Sequence, residues 1–201
     1  MLDRAATQLL QPALTRLAQA CVRQGITADA LTLTGFAVGM AAATLIAFEQ
    51  YTGGLLLILL SRLFDGLDGT VARLTTPTDR GGFLDIALDF VFYASIPLAF
   101  AVAQPATNAL PAAVLLAAFI GTGTSFLAYA TLAAKRGMQN LNYPGKSFYF
   151  LGGLTEATET LAVFAAMCLW PSHFAWLAFA FAAACLLTTL TRLWWGWQTL
   201  R

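Results

Sequence analysis

The chain has 201 residues, of which 59% are hydrophobic and 10% charged, and its mean hydropathy is +0.71. A soluble domain carries roughly 25% charged residues, so this composition excludes a large water-facing surface and predicts a membrane protein. The formal net charge is +1 and the isoelectric point lies near 7.7, which excludes nucleic-acid binding through bulk basicity.

Residues 1–25 repeat Leu2, Leu9, Leu10, Leu14, Leu17, Ala18 and Val22 at helical spacing against Asp3, Arg4, Gln8, Arg16 and Arg23. That pattern predicts an amphipathic helix lying in the membrane interface. Spanning the hydrocarbon core takes about 20 apolar residues, and the turn signals divide the remaining chain into six such stretches. They are Ala28–Phe48, Gly54–Leu74, Gly81–Ala103, Leu110–Ala134, Ser147–Trp170 and Phe174–Trp197. Apolar stretches recur to the C-terminus, unlike a secretory signal followed by a polar domain. Runs such as Leu55-Leu56-Leu57-Ile58 do not alternate as the strands of a membrane barrel would. The expected fold is all-α: one transmembrane domain over residues 1–201, with a six-helix bundle from 28 to 197. Cys21, Cys168 and Cys185 lack metal-site spacing and read as small apolar residues.

Arg4, Arg16 and Arg23 precede the first span. Arg73 and Arg80 flank the second connection, Lys135, Arg136 and Lys146 flank the fourth, and Arg201 follows the last span. The intervening connections contain no Lys or Arg. With six spans, all these cations share one side, so the positive-inside rule places both termini in the cytoplasm. Tyr51, Trp170, Trp194, Trp195 and Trp197 fall near span ends, where interfacial aromatics belong.

Five of the ten acidic residues, Asp65, Asp68, Asp79, Asp85 and Asp89, fall between the end of span two and the start of span three. An aspartate inside a bilayer costs about 2.5–3.5 kcal/mol on insertion scales, so the four at depth need a reason. Asp65 and Asp68 share one helix face, as do Asp85 and Asp89. Asp65 lies nine residues before Leu74 and Asp89 nine beyond Arg80, while Asp68 and Asp85 sit at six and five. If the two faces meet, four carboxylates converge roughly 8–14 Å inside the cytoplasmic boundary, from the 1.5 Å helical rise. In a low-dielectric site they must be protonated, salt-bridged or bound to cations, and only Arg62 and Arg73 are near in sequence. Hard oxygen donors without His or Cys favour Mg²⁺, Mn²⁺ or Ca²⁺ over zinc, and four carboxylates suit two ions and a phosphate substrate. Gly66, Gly69, Ala72 and Gly81-Gly82 leave room for a ligand to approach the backbone, and Arg73 can grip a phosphate with two hydrogen bonds.

The string Asp65-Gly66-Leu67-Asp68-Gly69-Thr70-Val71-Ala72-Arg73, followed by Gly81-Gly82-Phe83-Leu84-Asp85-Ile86-Ala87-Leu88-Asp89, resembles the signature of the CDP-alcohol phosphotransferase family. That signature reads DxxDGxxAR, a spacer, then GxxxDxxxD. The spacer, Leu74 to Arg80, is seven residues where eight is usual, which predicts a tighter turn and an intact site. Ala28-Asp29-Ala30-Leu31-Thr32-Leu33-Thr34-Gly35 is similar to the family's PNxLTxxG lead-in, with Ala for Pro and Asp for Asn. The resemblance extends over essentially the whole chain and points to a small bacterial inner-membrane member.

The resemblance implies a membrane enzyme, usually a homodimer, that transfers a phosphatidyl group from CDP-diacylglycerol to a small polar alcohol and releases CMP. It implies Mg²⁺ or Mn²⁺, two ions, held by Asp65, Asp68, Asp85 and Asp89, with Asp89 as general base. It assigns Asp68, Gly69, Ala72, Arg73, Gly81, Asp29 and Thr32 to the nucleotide and its phosphates.

For the acceptor, Lys135, Arg136, Lys146 and Arg192 offer cations suited to glycerol 3-phosphate or inositol phosphate. Glu156 and Glu159 would instead suit an uncharged polyol, or would pair with Arg62 or Arg192 as a buried ion cluster. A divalent-cation transporter would also place carboxylates in a bundle, but its pathway would line both membrane halves, whereas these four cluster on the cytoplasmic side.

Overall fold

The computed structural model describes residues 2–137 and 154–200, with side chains from residue 11 onward. Among the described residues there are seven α-helices and no strand. They are α1 (Leu2–Arg23), α2 (Ala28–Ala47), α3 (Tyr51–Leu74), α4 (Asp79–Ala103), α5 (Pro105–Lys135), α6 (Ala157–Leu169) and α7 (Phe174–Thr199), the last preceded by a 3-10 turn at Pro171–His173. Helices α2, α4, α5 and the Pro171–Thr199 stretch are each long and apolar enough to cross a membrane. Helix α3 has 24 residues, about 36 Å at the helical rise, but Arg62, Asp65, Asp68 and Arg73 crowd it from its middle onward.

Two predicted boundaries move. The segment expected to connect spans three and four, Gln104 to Ala109, is helical from Pro105. Proline has no N–H to lose at the first helical position and its φ is already set, while the buried Asn108 side chain donates to the Phe100 carbonyl of α4 at 3.1 Å. The predicted fifth span, Ser147–Trp170, is not one continuous helix. Its described helix begins at Ala157 and has 13 residues, about 20 Å, short of the roughly 30 Å hydrocarbon core. The reason lies at Thr155, whose backbone N–H donates to Thr188 Oγ1 of α7 at 3.2 Å and so leaves the helical pattern. Residues 147–153 lie outside the described set.

Lipid tails are as apolar as leucine, so helices in a membrane associate through close packing and small residues. Helix α2 is the shared partner, packing against both α3 and α4; α4 packs on α5, and α5 on α7. A Cβ on Gly35 would sit 2.8 Å from Phe64 Cβ, and one on Gly39 only 2.6 Å from the Phe92 ring. Glycine at these positions is what lets α2 lie against both neighbours. Beyond them Phe92, Phe100, Phe164 and Phe174 are fully buried, with Phe100 stacked between Tyr51 at 5.4 Å and Phe174 at 4.6 Å. Helix α1 docks by a smaller cluster, its Ala18 meeting Leu31, Leu67 and Val71, while Arg16 and Arg23 stay exposed. Leu56, Leu98, Ile120 and Leu190 point outward, as an apolar solvent allows.

Candidate active site

Helices α3 and α4 are joined by the short turn Thr75–Thr78, and the Thr78 hydroxyl caps α4 by accepting from Gly81 N at 3.0 Å. The two helices do not pack extensively on each other, although α2 packs on both. Between them lies a narrow cleft. Its walls are Thr32, Gly35 and Phe36 from α2, Ser61, Arg62, Asp65 and Asp68 from α3, and Asp85, Leu88 and Asp89 from α4. The carboxylate faces therefore look at each other across a gap rather than meeting in a packed interface.

One oxygen from each of Asp65, Asp68 and Asp85 lies within 4.8 Å of the other two. Oxygens around a Mg²⁺ ion with bonds of roughly 2.1 Å are about 3–4 Å apart, so a small side-chain adjustment would close this set on a divalent cation. Asp68 is only 4% exposed, and its Oδ2 accepts the Thr32 hydroxyl at 2.5 Å, a charge-assisted length. Asp89 is engaged differently: Arg62 Nη1 donates to its Oδ1 at 2.7 Å. The same nitrogen is 3.3 Å from Asp65 Oδ1, which places Asp65 and Asp89 at one depth. Four carboxylates and one guanidinium leave the cleft with a formal charge of −3 at full ionisation (−4 + 1), an excess that calls for further cations in a half-buried site.

The sequence profile of the CDP-alcohol phosphatidyltransferase family matches residues 25–191. The chain belongs to this family. It is therefore a transferase of phospholipid biosynthesis, and the carboxylate cleft lies within the matched residues. The chain is 52% identical over 201 residues to the inner membrane protein YnjF of Escherichia coli K12, covering 100% of this chain and 98% of that protein. It is 46% identical over 68 residues to the archaetidylinositol phosphate synthase of Methanothermobacter thermautotrophicus, a third (33%) of this chain and 35% of that protein. Its fold matches the Mycobacterium tuberculosis phosphatidylinositol phosphate synthase PgsA1 with CDP-DAG bound. There the TM-score is 0.73 at 21% identity, covering 92% of this chain and 93% of that one. The same enzyme in complex with manganese and citrate matches at a TM-score of 0.71, again at 21% identity, over 92% of this chain and 88% of that one.

In this phosphatidyltransferase the residues expected at the nucleotide fall into three groups. Thr32 and Asp68 line the cleft. Asp29 pairs with Arg80 at 2.5 Å, and a Cβ on Gly81 would come within 3.1 Å of Asp29 Oδ1, so the starts of α2 and α4 are tied together. Gly69, Ala72 and Arg73 continue along α3 beyond the cleft lining, and the exposed Arg73 folds back to donate to Thr70 Oγ1 at 2.9 Å.

None of the described acceptor candidates lines the cleft. Lys135 and Arg136 are exposed at the end of α5, where Arg136 donates to the Leu200 carbonyl at 2.5 Å. Arg192 is 7% exposed and donates to the Thr122 carbonyl of α5 at 3.0 Å, within electrostatic reach of Glu156. Glu156 and Glu159 form a reciprocal capping box at the start of α6. Arg62 belongs to the aspartates, so of the two partners considered for the glutamates it is Arg192 that lies near. Lys146 lies outside the described residues.

Ser61, Phe36 and Leu88 are cleft residues that the motifs did not point to. Helical spacing held the signal: Ser61 is four residues before Asp65, Phe36 four beyond Thr32, and Leu88 three beyond Asp85, each on the face of a residue already singled out.

Proposed function

We propose that the enzyme transfers the phosphatidyl group of CDP-diacylglycerol to the hydroxyl of a small polar alcohol and releases CMP, in a bacterial inner membrane with both termini and the cleft toward the cytoplasm. The observation that carries this reading is the convergence of Asp65, Asp68 and Asp85 within 4.8 Å, inside a cleft built from the family's own motif. These three residues would hold Mg²⁺ or Mn²⁺, and Asp65 and Asp89 would share a second ion. When bound, such ions neutralise the diphosphate and stabilise the departing phosphate.

The chain's own residues supply position and proton transfer. Thr32 fixes one oxygen of Asp68, so that this ligand is oriented before substrate arrives. Before substrate arrives Arg62 holds Asp89 Oδ1, and Oδ2 is the atom we assign to the acceptor proton. The acceptor oxygen attacks the phosphorus that carries the diacylglycerol, its proton passes to Asp89, and the bond from that phosphorus to the CMP oxygen breaks. Gly69 and Ala72 leave space for the cytidine diphosphate along α3, and Arg73 swings from Thr70 to pair with a phosphate. The family membership supports an enzyme over the cation-transporter alternative.

The acceptor is glycerol 3-phosphate, an inositol phosphate or an uncharged polyol, and a second copy of the chain is the expected partner. The test is CMP release by purified protein given CDP-diacylglycerol, Mg²⁺ or Mn²⁺ and a panel of these alcohols. Release with one acceptor and only with divalent metal is expected; no CMP with any alcohol would sink the reading.

A further inference from the structure

Arg62 contributes more to this cleft than a grip on Asp89. Its side chain is 13% exposed, and one nitrogen reaches Asp89 at 2.7 Å and Asp65 at 3.3 Å. The guanidinium carbon lies 4.0 Å from the centre of the Phe92 ring and 5.6 Å from that of Tyr93. Nη2 donates to Ser61 Oγ at 3.3 Å, while Nε is buried with no hydrogen-bond partner among the described residues. The cation is thus seated on aromatic faces and bridges one carboxylate of α3 to one of α4.

Bridging Asp65 and Asp89 is also what a second divalent ion in this cleft would do. The three-carboxylate set of Asp65, Asp68 and Asp85 is free of Arg62 except at Asp65, so a first ion can enter beside it. With that ion the formal charge of the four aspartates and Arg62 goes from −3 to −1. A second ion placed between Asp65 and Asp89 would take the guanidinium's position, and two cations in contact inside a poorly solvated cleft repel strongly. The guanidinium can leave only toward another anion, and the one the reaction brings is the donor's diphosphate.

We propose that Arg62 is a built-in counter-ion occupying the second cation position, so that the resting enzyme binds one divalent ion and admits the second only when a nucleotide diphosphate draws Arg62 away. The inference rests on the reading of Asp65, Asp68 and Asp85 as metal ligands. It makes Arg62 a positioning residue whose effect is on metal stoichiometry and its coupling to nucleotide.

Mn²⁺ titration of the purified protein, followed by electron paramagnetic resonance, separates a lone ion from a coupled pair. In the wild type one ion binds tightly and the second at least tenfold more weakly, and added CDP strengthens the second at least tenfold. In Arg62→Gln the pair forms without CDP, with second-ion affinity at least tenfold above wild type, and CDP adds less than threefold. Arg62→Lys, with one point charge in place of a planar fork, falls between. Arg62→Met, which keeps apolar bulk against Phe92, serves the same test if the glutamine variant does not fold. A second-ion affinity in the variants no higher than wild type overturns the role of Arg62 while the first site stands, as do two equally tight ions in the wild type. A wild type that binds no Mn²⁺ removes the metal reading as well.

Discussion

Thr32→Val tests whether the cleft's carboxylates are pre-set for metal, because it replaces one hydroxyl by a methyl of nearly equal volume. Thr32 Oγ1 is 2.5 Å from Asp68 Oδ2 and 3.1 Å from the Ala28 carbonyl. A hydroxyl has one proton, and the shorter contact assigns it to the carboxylate. A hydrogen bond to a charged group contributes about 1.5–3 kcal/mol. The Ala28 carbonyl competes for the same proton with or without metal, which puts the expected loss at the lower end. At 1.4 kcal/mol per decade that is about tenfold in metal affinity, within the 10–100-fold range for residues that orient metal ligands. The assay is CMP release against Mn²⁺ concentration. The half-activating concentration should rise about tenfold while the rate at saturating metal changes less than threefold, and Thr32→Ser should behave as wild type. An unchanged activation curve in Thr32→Val would refute the reasoning, since Asp68 would then be held by its helix alone.

Asp89→Asn should lower CMP release by at least about 10²-fold, the lower bound for losing a general base, while CDP binding measured calorimetrically persists; retained turnover would reassign the base. Gly39→Ala should destabilise the protein by about 1–3 kcal/mol through overpacking, because its Cβ would meet the Phe92 ring at 2.6 Å; thermal unfolding in detergent reads this, and an unchanged midpoint would mean that α2 can shift away from α4 freely. Glu159 accepts from the Glu156 backbone N–H at 3.1 Å, so Glu159→Gln should leave stability unchanged and Glu159→Ala should cost about 1 kcal/mol. A rise in acceptor KM in Glu159→Gln without loss of stability would show a binding role beyond the cap.

The membrane class, the helical fold and the four aspartates are legible in the sequence because each rests on a local pattern. Apolar runs, three- and four-residue spacings and the Asp65–Asp89 signature need no knowledge of the partner helix. Helical depth also pairs Asp65 with Asp89, which the Arg62 bridge reproduces. What the sequence does not disclose is the relation between helices. Nothing in the motifs says that α3 and α4 stand apart on α2; of the two glycines that allow it, Gly35 reads only as the last position of the lead-in motif and Gly39 as an ordinary small residue until Phe64 and Phe92 are seen against them. The start of α6 is misplaced for a related reason: Thr155 is drawn out of helix by Thr188, thirty-three residues away. Glu156 and Glu159 at three-residue spacing carry the local sign of a capping box, which intramembrane acidity hides by suggesting chemistry first.

That separation of α3 from α4 is the step that joins fold to reaction. Were the two helices packed directly, their carboxylates would be driven together without room for ion or phosphate, at the cost of unpaired buried charge. Packing both against α2 fixes their spacing, so the cleft stays open although its walls repel. The repulsion is then met by pieces of the wall itself: Thr32 on Asp68, and Arg62 between Asp65 and Asp89. The phenylalanine that makes Gly39 necessary, Phe92, is also the ring on which Arg62 rests. A change at Gly39 that pushes Phe92 aside should therefore move Arg62 too, and Gly39→Ala should loosen the discrimination between first and second Mn²⁺ as well as lower stability. If stability falls and the two affinities keep their wild-type ratio, the ring and the guanidinium are independent, and the coupling of scaffold to charge argued from their 4.0 Å contact does not hold.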